Sequence, residues 1–171
     1  MKFDYIKSKI IFLHPGEAIF SKKPIIVSTV LGSCVSITMY NARTKMAGIS
    51  HCQLPKCPHR ATDCIKRCVD PYKYVDCTIE KMLEKFKSNK IAPEEIEIKI
   101  FGGGDVLTTI EKQIPTQTVG QKNLIAADEM FKKHRLKVAA KDVGGKTGRK
   151  LFFVADSGEI YLNRLKNYEE N

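Results

Sequence analysis

Apolar and polar residues alternate with a period of two over several short stretches, and the period lengthens to that of a helix over two others. Lys9 to Leu13 reads as a short strand, ended by His14-Pro15-Gly16. Ile25 to Leu31 is an apolar run rich in β-branched residues, which Gly32-Ser33 interrupts. Cys34 to Tyr40 then alternates, Asn41 to Lys45 reads as a turn, and Met46 to His51 as the returning strand. Asp70-Pro71 has the form of a helix N-cap followed by proline at the first helical position. Val75, Ile79, Met82, Leu83 and Phe86 follow at helical spacing, which predicts a helix to about Ser88. Ile96, Ile98 and Ile100 alternate with charged residues and lead into Gly102-Gly103-Gly104. A second helix is expected near Gln121 to His134, with Leu124, Ala127, Met130 and Phe131 on one face. Leu136, Val138 and Ala140 suggest a strand, and a hairpin follows from Arg149 to Ala155 and from Glu159 to Leu165. Hairpins dominate this order and there is no regular βαβ alternation. The pattern predicts an α+β fold of mixed, mostly antiparallel sheets packed with two main helices.

The length of 171 residues fits one domain over 1–171, with no internal repeat and no linker. No apolar run approaches the roughly 20 residues of a membrane span or the 7–15 of a signal peptide core, so a cytoplasmic protein is expected. The 29 basic residues outnumber the 19 acidic ones, for a net charge of +10, which points to an acidic partner. The basic residues are scattered and accompany no nucleic-acid-binding motif. The absence of tryptophan and the 8% of aromatic residues argue against a base-stacking platform.

The strand break at Gly32-Ser33 exposes Cys34 at a strand end, where backbone N–H groups near Ser33 and Cys34 can face a developing oxyanion. A nucleophilic thiol needs a base, and His51 closes the next strand. At one end of a hairpin, directly opposite side chains would lie about 5 Å apart. Ser28 or Thr29 can supply a hydroxyl to orient the imidazole, and since neighbouring strand residues face opposite ways only one of them can serve. The competing reading is a small buried cysteine and a structural histidine. Gly102-Gly103-Gly104 and Gly144-Gly145 lack the phosphate-loop pattern and read as tight turns.

The run Leu31-Gly32-Ser33-Cys34-Val35 with Ala47-Gly48-Ile49-Ser50-His51 and Leu54-Pro55 resembles the CheD family of chemoreceptor glutamine deamidases. Tyr72-Lys73-Tyr74-Val75-Asp76, Ile100 to Gly104, Val119 to Leu124, Asp142 to Gly145 and Gly148-Arg149-Lys150 continue the likeness in order, from about Gly16 to Leu165. The resemblance implies an α/β sandwich-like fold, with Cys34 as nucleophile and His51 as general base. The family's third member is a threonine, which one version of the motif places at Ser28, with Thr29 adjacent. It implies conversion of receptor glutamine side chains to glutamate by acyl transfer, methylesterase activity on the same site, and no required metal or organic cofactor. The implied partners are the cytoplasmic helices of a chemoreceptor and a CheC-type phosphatase, with no nucleic acid and no membrane insertion. The alternatives are a non-catalytic adaptor that binds receptor or phosphatase, and a metal- or redox-sensing module.

That last alternative comes from an insert at about residues 56–71, which does not match the family pattern. Cys57, His59, Cys64 and Cys68 fall within it, with Cys52 and Cys77 on either side. In a cytoplasmic chain these are expected as thiols. Cys57, Cys64 and Cys68 with His59 or Cys52 offer four soft ligands, a set that could hold zinc or an iron–sulfur cluster.

Overall fold

The computed structural model describes residues 10–58, 68–106 and 117–165. The strands, in chain order, are β1 (Ile10–Phe12), β2 (Ala18–Ser21), β3 (Ile26–Leu31), β4 (Val35–Asn41), β5 (Met46–Ser50), β6 (Glu97–Gly102), β7 (Val138–Val143), β8 (Arg149–Val154) and β9 (Glu159–Arg164). The helices α1 (Val75–Ser88) and α2 (Val119–Lys133) flank β6 in sequence. One sheet has the order β1-β3-β8-β9 and the other β2-β5-β4-β6-β7. Among the described strands, β1–β3 and β6–β7 pair in parallel and the other strand pairs are antiparallel. The expected α+β class is the one observed.

β4 explains how the layers stack. Its residues alternate apolar and polar, yet all seven are buried. Val35, Ile37 and Met39 face the helices and pack with Val75, Ile79, Met82, Phe86, Ala127 and Phe131. Tyr40, on the opposite face, packs with Leu13, Val27, Ile49 and Phe153 between the two sheets. By strand alternation Ser36 and Thr38 face the same way as Tyr40. The polar stripe of β4 is therefore enclosed in the seam between the sheets.

Three features differ from the sequence expectation. β2 was not anticipated: its four residues carry no alternation, and pairing with β5 makes it a strand. Asp70 forms no side-chain cap, and Pro71–Lys73 is a separate 3-10 turn rather than the start of α1. The cause is tertiary. Tyr74 is drawn into an extended bridge with Leu54, and the Lys73 carbonyl accepts from the N–H groups of Gln53 and Leu54. Helix α2 starts at Val119, two residues earlier than expected. Its cap is Thr118, whose side chain accepts from the Gln121 N–H while Gln121 Oε1 accepts from the Thr118 N–H.

Gly102 ends β6 with φ +102, and a Cβ there would stand 2.2 Å from the Cys34 carbonyl oxygen. No side chain fits that approach. Gly102→Ala is expected to cost at least about 1–3 kcal/mol from backbone conformation alone, with the clash added. A urea titration checks it; an unshifted midpoint would show that the strand end relaxes freely.

Candidate active site

Gly32, Ser33 and Cys34 form a sharp elbow between β3 in one sheet and β4 in the other, and each of their carbonyls is held from outside. The Gly32 carbonyl accepts from Gly104 N–H at 2.9 Å and the Cys34 carbonyl from Gly103 N–H at 2.8 Å. The Ser33 carbonyl accepts from the side-chain amide of Asn123 at 3.0 Å, and the same amide nitrogen donates to the Gln53 carbonyl at 3.1 Å. Peptide planarity aims each N–H away from its carbonyl partner. Among the described residues, neither the Ser33 nor the Cys34 N–H donates to a backbone carbonyl. The Cys34 N–H lies close enough to its own sulfur to favour the thiolate, although burial is the larger effect and pushes the thiol up.

His51 follows β5 and is gripped along its backbone. Its N–H donates to the Glu17 carbonyl at 2.9 Å, and its carbonyl accepts from Gly16 N–H at 2.8 Å. The unanticipated β2 thus begins at the segment that fixes the histidine. Val35 pairs with Cys52, so by register Ser36 lies opposite His51 and Gln53 opposite Cys34. Cys34 and His51 are diagonal neighbours on one face, not the directly opposed pair expected from sequence. Diagonal positions are about 7–8 Å apart between backbones, still within reach of a long side chain such as histidine.

The imidazole touches the other sheet. Thr29 Oγ1 lies 2.7 Å from His51 Nδ1 and 2.8 Å from the Leu13 carbonyl oxygen. A hydroxyl has one proton to give, and the carbonyl can only accept. Thr29 therefore donates to Leu13 and accepts from Nδ1–H, which leaves the proton off Nε2 and its lone pair able to accept. Burial drives the His51 pKa down to about 4; the Leu13 carbonyl and Glu17 carboxylate pull it up, and His14 pushes it down. At neutral pH the resting pair is a neutral thiol and a neutral imidazole.

Ser28 and Thr29 are separated by strand alternation. Thr29 is fully buried in the seam, whereas the Ser28 hydroxyl, also buried, has no hydrogen-bond partner among the described residues. Asn123 was missed by the sequence reading because it sits on the apolar face of α2 as a lone amide. Gly120 makes its position reachable: a Cβ there would meet the Gly103 carbonyl oxygen at 2.6 Å, so the helix start can lie against the glycine segment. Arg149 is a second such residue. It is buried, ion-paired to Asp142 at 2.6 Å, and donates to the carbonyls of Gly144 and Thr147. That turn in turn braces Gly102 and Asp105, through Gly144 N–H to the Gly102 carbonyl and Asp105 N–H to the Gly145 carbonyl.

The remaining cysteines divide into two kinds. Cys52 is buried among the helices, and burial pushes its thiol up to about 11, while hydrogen bonds to Thr78 and Ser50 pull it down. It faces away from the seam and does not join the insert's cysteines. Cys57 and Cys68 come together as the sequence suggested, and Cys77, the first-turn residue of α1 left out of the expected ligand set, joins them. His59 and Cys64 lie outside the described residues.

Residues 57–164 match the model of the family described as CheD chemotactic sensory transduction. A relative from Geobacter sulfurreducens named "Probable chemoreceptor glutamine deamidase CheD 2" is 42% identical over 159 residues, 93% of this chain and 92% of that protein. A match of that extent takes in residues 34 to 51 whichever end it leaves out. "Probable chemoreceptor glutamine deamidase CheD" of Oleidesulfovibrio alaskensis is 35% identical over 92% of this chain and 73% of that one. The protein of the same name from Thermococcus kodakarensis is 31% identical over 89% of this chain and 91% of its own length. With a family-model match over more than half its length and relatives spanning nearly all of it, the chain belongs to the CheD family.

Proposed function

We propose that this protein deamidates glutamine side chains of a chemoreceptor's cytoplasmic region, with Cys34 as nucleophile, His51 as general base and Thr29 as the residue that orients the base. The observation that carries the reading is the one-proton argument at Thr29. It leaves His51 in the tautomer whose Nε2 can accept a proton. The names of the relatives supply the substrate class, and the net charge of +10 suits glutamate-rich receptor helices through electrostatic steering.

The reaction follows from the groups present. His51 Nε2 takes the Cys34 proton as Sγ attacks the carboxamide carbon of the glutamine. The developing oxyanion turns toward the N–H groups of Ser33 and Cys34, whose peptide planes are fixed from the far side by the held carbonyls of Gly32 and Ser33. Imidazolium returns its proton to the departing ammonia. His51 then deprotonates water, which hydrolyses the thioester to glutamate and frees the thiol. A glutamate methyl ester presents the same acyl carbon, with methanol as leaving group. Because both partners rest neutral, thiolate forms only as it is consumed, so Cys34 is protected from idle oxidation. Among the described residues no helix is long and apolar enough to cross a membrane. In this reading the enzyme meets the receptor as a separate protein, and a CheC-type phosphatase is a further partner.

Incubation with a glutamine-bearing receptor fragment is expected to release ammonia and add about one dalton per site, with no turnover by Cys34→Ala. Turnover by that variant would remove the assignment. Thr29→Val leaves a buried imidazole donor unpaired, a loss of about 1–3 kcal/mol that corresponds to a roughly five- to 150-fold fall in kcat/KM. Thr29→Ser is expected to recover most of it, and Ser28→Ala to leave activity unchanged; the opposite ranking would make Ser28 the third member. The pH profile gives an independent check. A base must be unprotonated to act, and lowering its pKa extends activity toward acid. The acid limb of kcat/KM is therefore expected near pH 4 rather than at the ordinary histidine value of 6.5. A limb at 6.5 would mean that the free enzyme's base is solvated.

A further inference from the structure

We propose that Cys57, Cys68 and Cys77 form a binding site for one thiophilic divalent cation of the zinc class, distinct from the Cys34–His51 site. The three sulfurs all lie within 4.8 Å of one another, although they come from three separate segments. Cys57 follows the bridge residue Leu54, Cys68 precedes the 3-10 turn, and Cys77 stands in the first turn of α1.

The Cys57–Cys68 separation equals that of two ligands around a shared centre. Cys57 Sγ and Cys68 Sγ are 3.8 Å apart. Four sulfurs placed tetrahedrally at a zinc–sulfur distance of about 2.3 Å are separated by about 3.8 Å. A disulfide would need about 2.05 Å.

The backbone around the sulfurs is fixed without help from a metal. The Asp76 carboxylate accepts from the Cys57 N–H at 3.1 and 3.2 Å and from the Cys77 N–H at 2.7 Å. One side chain therefore sets the separation of two of the three ligand-bearing residues, as outer-sphere carboxylates do in metal sites. Cys57 and Cys77 are each 4% exposed, and Cys68 is half-buried, so the cluster opens to solvent on the Cys68 side. Thiols crowded in this way resist ionising together, and a divalent cation removes that resistance by taking up the charge as the protons leave. Three thiolates leave one tetrahedral position for water or another ligand.

Occupancy would clip the chain after His51 to the start of α1. The catalytic histidine is six residues from Cys57, and the intervening Gln53 and Leu54 already bond to Lys73. The cation is thereby a structural clamp on the segment that carries the base, not a participant in acyl transfer.

The full chain, purified anaerobically with a thiol reductant and no chelator, is expected to hold one zinc per chain by plasma mass spectrometry. Cys57→Ser and Cys68→Ser should lose it, while Cys34→Ser should keep it. Because Cys57 is buried and its variant can misfold, the wild-type protein stripped of metal is also titrated with Co(II). Visible d–d absorption of tetrahedral Co(II) and a near-ultraviolet thiolate charge-transfer band, both displaced by Zn(II), would support the site. Failure to take up either ion would overturn it, as would a metal retained by Cys68→Ser or a Cys57–Cys68 disulfide formed in place of binding.

Discussion

The site depends on three consecutive carbonyl groups, those of Gly32, Ser33 and Cys34, being held by three different donors. Gly104, Asn123 and Gly103 supply them. A carbonyl with a fixed partner fixes its peptide plane, and the plane fixes the opposite N–H. Preorganised donors of this kind need no rearrangement when charge develops, which is where they contribute most to catalysis. The rest of the molecule can be read as what keeps those donors in place. Gly102 lets β6 come up under Cys34, Gly120 lets α2 close on the glycine segment, and buried Arg149 organises the turn behind it.

The same economy appears at His51. A buried imidazole that must stay neutral costs less than a buried ion pair, which would need solvation the seam does not offer. Thr29 satisfies Nδ1–H without bringing a charge. Leu13 satisfies Thr29 in turn, so the chain of hydrogen bonds from Nδ1 ends on a backbone carbonyl.

Much of this was legible in the sequence, and the exceptions have physical causes. Among the described residues, alternation, apolar runs and helical spacing located eight of the nine strands and both helices, because each of those elements carries a local pattern of its own. β2 escaped because a four-residue strand held by its neighbours carries no period of its own. The break at Gly32-Ser33 pointed to Cys34, and the hairpin pointed to His51. Register could not be read: the one-step choice between opposite and diagonal partners depends on the Val35–Cys52 bridge. The choice between Ser28 and Thr29 depends on which face of β3 meets the second sheet, a tertiary fact. Asn123 was read only as part of the Val119 to Leu124 stretch and given no role, because a single amide on an apolar helix face has no local signature of its own. Cys77 was set aside because it belongs to the helix pattern, and only the fold carries it back to Cys57 and Cys68.

β3 belongs to one sheet, β4 and β5 to the other, and the Thr29–His51 hydrogen bond crosses between them. In the proposed mechanism the competence of the base is therefore a property of the contact between sheets, not of either sheet alone. A slight loosening of the sandwich would leave every strand paired and every helix intact, yet free the imidazole to change tautomer. Chemistry in this fold is a strain gauge for its own interior, and it would fall silent while the secondary structure still looked whole.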